Sequence, residues 1–229
     1  MIISINQPAY LPWLGYFDRI ARSDIHVVLD HVQFEKNSFI NRNRIRVKDG
    51  TCWLSIPVAT KGKFGNLSIR SLQFAPGVRW QDKHWAALRL NYARATCFDI
   101  YRAGYESIYS AEWPDFITFF RAMLVQHMKD LGLNTRIVYS SDLAPTGAKS
   151  DLILNICRHF GANIYISGVH GKGYLDTERF RESGISVEFQ DYQHPSYGQV
   201  WPGFESHLGI LDLLFNCGAD SREIIVSVG

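Results

Sequence analysis

Between residues 134 and 189, short apolar runs rich in β-branched residues alternate with stretches of helical periodicity, and no other feature constrains the fold as much. Asn134-Thr135-Arg136-Ile137-Val138-Tyr139 reads as a strand, residues 149–160 as a helix closed by Gly161, and residues 163–168 as a second strand. A helix over 176–183 and a strand over 185–189 complete the series. Strands joined through helices lie parallel, because the helix carries the chain back across the sheet, and both faces are then covered. The front of the chain repeats this logic. Ile2-Ile3-Ser4-Ile5 reads as a strand, residues 17–22 as a short helix, and residues 24–30 as a buried strand ending on Asp30. That is a compact β-loop-α-β unit. The expected fold is α/β, a Rossmann-like parallel sheet covered by helices.

Two β-rich runs over 44–47 and 52–58, separated by an Asp49-Gly50 turn, read as a hairpin. Lys61-Gly62-Lys63-Phe64-Gly65 reads as a mobile loop and residues 69–74 as a further strand. Residues 31–75 are therefore expected to form a β-rich insertion within a single α/β domain spanning residues 1–229. Helices are expected over 80–90 and 113–131, the second with Phe116, Phe119, Phe120, Met123, Leu124 and His127 as its apolar stripe and Gly132 at its end. A chain of 229 residues, 46% hydrophobic, suffices for one sizeable core. Its net charge of +2 carries no nucleic-acid footprint, and no apolar run approaches the ~20 residues that cross a bilayer. No basic leader or small-residue cleavage site precedes the first strand, so the expected compartment is the cytoplasm. The four cysteines stand far apart without a CxxC, which argues against a zinc site or a disulfide framework; no metal ligand set is expected.

Three loops fall at expected strand carboxyl ends, the edge where α/β sheets bind ligands. The first, residues 7–17, reads Gln-Pro-Ala-Tyr-Leu-Pro-Trp-Leu-Gly-Tyr-Phe, so Gln7, Tyr10, Trp13, Gly15 and Tyr16 are candidates to pack and hydrogen-bond a base or sugar. The alternative is an aromatic corner that only closes the core. In the second, Thr146-Gly147-Ala148-Lys149-Ser150 combines glycine, hydroxyls and a lysine, but lacks the upstream glycine of a Walker motif. In the third, Ser167-Gly168-Val169-His170-Gly171-Lys172-Gly173 repeats that recipe and leads to Tyr174. Phosphate binding by Lys149, Ser167, Gly168 and Lys172 stands beside plain turn chemistry as the reading of both. Asn37, Asn41, Arg42, Asn43 and Arg44 form the densest polar cluster, suited to phosphate, carboxylate or hydroxyl-rich ligands, or else a solvated hairpin edge. Asp30 and His170 are the candidate proton acceptors, with capping as the structural alternative for Asp30. His194 and Gln199 are expected to line the pocket; His84, His159 and His207 read as packed or exposed groups on helical faces.

The chain resembles the WbqC-like family. The likeness rests on Gln7-Pro-x-Tyr-Leu-Pro-Trp-x-Gly-Tyr-Phe17 and on Asp30, Gln33-Phe34, Asn37 and Asn41-Arg42-Asn43-Arg44. It continues through Tyr165-Ile-Ser-Gly168 with Tyr174-Leu175, His194-Pro195 with Tyr197 and Gln199, and the segment 211–218. Members resemble one another in occurring among genes for surface polysaccharide and O-antigen synthesis, often beside genes for amino sugars. The resemblance implies a transferase that attaches an acyl or aminoacyl group to a nucleotide-linked amino sugar, with ATP or a sugar nucleotide as the bound small molecule. A non-catalytic sugar-nucleotide binder or scaffold is the alternative. The opening strand, loop and helix are also similar to the entry of HIGH-type nucleotidyltransferases, implying a HUP-like frame and nucleotidyl transfer as a further option. Trp13 and Tyr16 stand where that superfamily has histidines, and neither can supply the cationic hydrogen bond that stabilises a phosphoryl transition state. Residues 208–215 are apolar enough for either a core helix or a homodimer surface.

Overall fold

The computed structural model describes residues 1–62, 65 and 67–227. Among these the chain runs through β1 (Ile2–Asn6), α1 (Leu14–Ala21), β2 (Ile25–Val28), β3 (Arg42–Val47), β4 (Gly50–Ser55), α2 (Trp80–Tyr92), α3 (Phe98–Ser110) and α4 (Phe116–Asp130). It continues through β5 (Arg136–Tyr139), α5 (Lys149–His159), β6 (Ile164–Ser167), α6 (Thr177–Glu182), β7 (Ser186–Phe189), α7 (Ile210–Cys217) and α8 (Ser221–Val226). Five strands form one parallel sheet in the order β5-β2-β1-β6-β7, and β3 and β4 pair as a separate antiparallel hairpin. The fold is α/β and Rossmann-like. Successive strands step outward from β1 through β2 to β5, then return to β1's other side for β6 and β7. The order therefore reverses between β1 and β6, the position at which open sheets of this kind form their ligand crevice.

Alternation along each strand divides the core into two layers. Ile3 pairs in register with Ile25 and Tyr165, and Ile5 with Val27. These residues bury against Leu152, Ile153 and Ile156 of α5 and Phe180 of α6. Val28, on the opposite face, joins Leu14, Phe17 and Ile20 of α1 together with α4 and α7 in the larger layer. Ser4 and His26 also face that way. They are register partners whose side chains meet at 2.8 Å, and burial drives the imidazole pKa down to about 3, so it packs as a neutral ring.

Local chemistry sets the helix ends. Asp115 caps α4 by accepting from the Thr118 amide at 2.8 Å. Gly132, at a φ of 61°, lets the chain turn back toward β5, with the Leu133 amide bonding the Met128 carbonyl. The connection from β2 to β5 carries the hairpin and also α2, α3 and α4. Residues 69–74 differ from expectation. They form a tight turn over Ile69–Ser71, closed by Ser71 and Leu72 amides on the Ser68 and Ile69 carbonyls, plus a lone Val58–Phe74 bridge. α3 was not expected, since Gly104 interrupts its pattern; the Gln126 amide packs over that glycine, 2.9 Å from where a β-carbon would stand. α1 begins three residues earlier than the pattern suggests, inside the aromatic loop. Lys63 and Phe64 of the expected mobile loop lie outside the described residues. Ile210, Leu211, Leu213, Leu214 and Phe215 of α7 are buried, which makes it a core helix and not a subunit surface. No helix among the described residues is long and apolar enough to cross a membrane.

Candidate functional site

The loop between β1 and α1 occupies the crevice and is held from several sides. Tyr10 donates its amide to the Phe39 and Ile40 carbonyls at 3.0 Å, the Asn43 side chain donates to the Leu11 carbonyl at 2.5 Å, and the Ile210 amide donates to Pro12 at 2.8 Å. Trp13 forms an isolated bridge with Gly209, where a β-carbon would lie 2.6 Å from the Leu11 carbonyl. Leu11 itself sits at a φ of 46°, a left-handed conformation that such anchoring can sustain.

α1 starts immediately after this loop. Its N-cap is Trp13, whose side chain makes no capping bond, and its first turn carries no acidic residue, whereas α4 and α6 are both capped by aspartates. No side chain therefore offsets the positive end of its dipole, although the Tyr16 amide turns back onto the Trp13 carbonyl at 3.0 Å. Gly15 is required by close packing, since a β-carbon would approach the Tyr192 ring at 3.0 Å and the Trp13 indole nitrogen at 3.2 Å. Gln190, the residue after β7, donates to the Gly15 carbonyl at 2.9 Å and to Asp18 at 2.5 Å. The segment following β7 thereby closes a third side of the crevice.

Arg19 is the residue the sequence reading passed over. Its side chain is buried, 4% exposed, and extends from α1 toward Gly168, the first residue after β6. A β-carbon at position 168 would run into its guanidinium. The same guanidinium lies 5.8 Å from the centre of the Trp13 ring. Its Nε has no hydrogen-bond partner, and among the described residues it forms no ion pair. Burial lowers its pKa, an effect opposed by Tyr165, Tyr16, Asp18 and Tyr174. A sequence signal existed: Asp18-Arg19 stands in a helix whose other positions are nearly all apolar, leaving no solvent face for the pair.

The other expected residues divide by location. Gln7 follows β1 directly and is half-buried. Tyr10 belongs to the core, its hydroxyl bonded to His84 at 2.8 Å and Tyr109 at 2.5 Å, and Tyr16 is fully buried against His26. Ser167 is buried and bonds the Gly168 carbonyl at 3.1 Å; His170, Lys172 and Tyr174 are exposed on the turn beyond it. Lys172 lies 5.7 Å from the Phe189 ring. Lys149 is exposed at the start of α5, on the sheet's other layer, at a φ of 50°. Its neighbour Ser150 accepts from the Asp176 amide at 2.9 Å, which ties the loop after β5 to the turn after β6.

Strand alternation splits the polar run of the hairpin. Asn43 points inward to Leu11, while Arg42 and Arg44 lie on the opposite side over Trp53, at 4.6 and 5.8 Å from its ring. Asn37 holds Arg42 through its carbonyl and side-chain oxygen, and Asn41 donates to Ile56 at 2.8 Å. Phe39 links Trp13 to Trp53 with ring separations of 6.3 and 5.9 Å. A partly exposed aromatic row therefore runs from the crevice onto the hairpin, edged with guanidinium groups.

Asp30 is fully buried and accepts from the Ser140 hydroxyl at 3.0 Å, the Ser141 amide at 2.8 Å and the Ser141 hydroxyl at 2.7 Å, with Arg121 at 4.0 Å. These bonds lock the loop after β2 to the loop after β5. Gln199 donates to the Glu205 carbonyl at 2.9 Å and to buried Asp212 at 2.8 Å. His194 stacks near His207 at 5.0 Å between ring centres and bonds the Pro195 carbonyl; burial lowers its pKa. His207 lies in the coil before α7 and not on a helix. Among the described residues, a small apolar void lies between the β1–α1 loop, at Tyr10 and Pro12, and Phe119 and His127 of α4; an open cleft of about 430 Å³ is lined by residues such as Gln33, Lys36 and Leu67.

A family model described as the WbqC-like protein family matches residues 7–224. A Mycobacterium tuberculosis protein described only as uncharacterized is 35% identical over 225 residues, covering 97% of this chain and 96% of the relative. No solved structure matches the chain.

Proposed function

This chain belongs to the WbqC-like protein family, and from that premise we propose that it is a transferase binding a nucleotide-linked amino sugar in the crevice between β1 and β6. The observation that carries the reading is the reversal of strand order there, walled by the loop before α1, the turn after β6 and the segment after β7. Open sheets of this kind take ligands at such a reversal. Trp13 and the neighbouring Phe39 offer aromatic faces to a base or sugar ring, and the uncapped start of α1 suits the phosphates. The reaction class, acyl or aminoacyl transfer to the sugar amine, is what the resemblance implies, since members of the family occur among genes for surface polysaccharide and amino sugars.

In that reaction the amine nitrogen forms a bond to an activated carbonyl carbon, the bond to the leaving group breaks, and the nitrogen loses a proton. His170, exposed on the turn beyond β6, is the group we assign to that proton. Asp30, enclosed by Ser140 and Ser141, fits a positioning task instead. The test is thermal denaturation with a uridine-diphosphate amino sugar and, separately, ATP. A ligand at about a hundred times its dissociation constant adds roughly 2.7 kcal/mol, or about 5–10 °C for a chain of this length. Trp13→Ala removes most of the shift. Absence of any shift with both ligands at millimolar concentration would refute the reading. One observation favours a binder without turnover, namely the enclosure of Asp30; binding without acylated product by mass spectrometry after supplying acyl donors would select it.

A further inference from the structure

We infer that Arg19 is the anchor of an oxyanion site at the β1/β6 crevice, holding a phosphoryl group of the ligand between the α1 N-terminus and the Gly168 turn. The inference deepens the reading above and rests on it for the rest of the ligand. Three observations converge. The first is an unpaired cation in a place that should exclude one: Arg19 is 4% exposed, its Nε has no partner, and no carboxylate among the described residues lies within ion-pair distance. Buried charges are ordinarily paired, because an isolated ion loses several kcal/mol of hydration. The neighbouring carboxylate, Asp18, forms no ion pair with it: its Oδ2 accepts from Gln190 at 2.5 Å and faces Arg22 at 3.7 Å, while its Oδ1 is buried without a partner. The phenols nearest the guanidinium, Tyr16 and Tyr165, have raised pKa values and stay neutral.

The second observation is the backbone made to fit. Gly168 has a φ of −70°, which any residue adopts, so nothing in its conformation asks for glycine. Only the guanidinium does, since a β-carbon would occupy its position. Removing that β-carbon brings the guanidinium directly against the chain leaving β6. The third is that Trp13, the N-cap residue of α1, stands alongside with its ring centre at 5.8 Å and makes no side-chain capping bond, so the start of the helix dipole near it is not offset. A planar guanidinium fork and a helix N-terminus both favour an anion with several acceptor oxygens. A phosphoryl group satisfies both at once. Charge carried into the site restores the partner that folding leaves out, so affinity here is obtained at the expense of ligand-free stability.

The experiment measures thermal denaturation of the full chain with inorganic pyrophosphate, acetate and a uridine-diphosphate amino sugar, on wild type, Arg19→Met and Arg19→Lys. In wild type, pyrophosphate raises the Tm by about 5 °C or more at saturation and acetate does not. Arg19→Met, which keeps the length without the charge, melts higher than wild type without ligand and loses the pyrophosphate shift. Arg19→Lys folds, retains the charge without the fork, and weakens pyrophosphate at least tenfold. A pyrophosphate shift unchanged in both variants overturns the inference, as does a wild-type response to acetate equal to that with pyrophosphate. Should Arg19→Met fail to fold, the Arg19→Lys affinity decides alone. An Arg19-dependent pyrophosphate shift to which the amino-sugar nucleotide adds nothing leaves the anion site standing and defeats the sugar-nucleotide reading. Equal binding of that nucleotide by wild type and both variants does the reverse.

Discussion

Gly168 and Arg19 form a pair in which each residue explains the other, and the pairing can be measured without knowing the ligand. A methyl group at position 168 displaces a buried guanidinium from a packed position, and overpacking of this kind costs about 1–3 kcal/mol. With Arg19 truncated, the same methyl group meets open space. Gly168→Ala therefore destabilises wild type by about 1–3 kcal/mol in urea denaturation but costs less than about 0.5 kcal/mol beside Arg19→Ala. Equal costs in both backgrounds would mean that the guanidinium does not occupy this position. Gly168 looked like one of three glycines in a phosphate-cradle pattern; Arg19 stood with Asp18 among apolar residues, a signal that points to burial but not to what lies opposite. Burial on every side of α1 is a tertiary property, set by loop 7–13, α7 and the segment after β7. Trp13 was legible because an indole amid prolines and glycine in a loop has little local reason to be there.

At the scale of elements, the aromatic loop and the last helices form one braced unit. Asp212, in the first turn of α7, accepts from Tyr92 of α2 at 2.8 Å, from Tyr197 at 2.9 Å and from Gln199 at 2.8 Å. Tyr92 accepts in turn from the Arg46 amide of β3, and the Arg46 guanidinium bonds Val47, Gly50 and Pro202 carbonyls. One carboxylate thus joins a helix, a hairpin and a coil to α7, and the Ile210 amide passes that order on to Pro12. Asp212→Ala strands the buried Tyr92 hydroxyl, removes the acceptor of part-buried Tyr197 and Gln199, and costs about 3–5 kcal/mol. Gln199→Ala removes three bonds at the edge of the same network, two of them to the Glu205 backbone, and costs about 1–2 kcal/mol. Both appear as lower urea midpoints with unchanged slope, and ligand affinity in the folded Gln199→Ala protein stays within about twofold of wild type. A tenfold loss of affinity would return Gln199 to the ligand's own contacts. The sheet strands were legible because buried parallel strands write themselves as apolar runs. The bracing was not, since residues 199 and 212 meet through a fold in coil that has no periodicity.

Across the whole molecule, three histidines are sealed inside one layer, and they give the protein its expected response to acid. Burial lowers the pKa of His26 to about 3, of His84 to about 4 and of His127 to about 3; Arg19 adds to the effect at His26. His26 lies beside Ser4, His84 bonds Tyr10 and His127 bonds Tyr105 at 2.9 Å, so the set spans β2, α2 and α4. In the unfolded chain each would titrate near its ordinary value of about 6.5. Between that value and the depressed one, the unfolded state binds protons that the native state refuses. Stability is therefore fully present above about pH 7 and falls as pH drops below about 6.5. Each group contributes about 1.4 kcal/mol to the loss between pH 7.5 and 5.5, so the three together remove roughly 4 kcal/mol. Asp130 and Asp212 act with the opposite sign, because burial raises their pKa values and lets the native state take up protons more readily; that offset grows toward lower pH. Urea unfolding at the two pH values reads the difference. His84→Gln reduces it by about a third if these buried rings are its source, whereas an undiminished pH dependence in that variant would place the acid response in other groups.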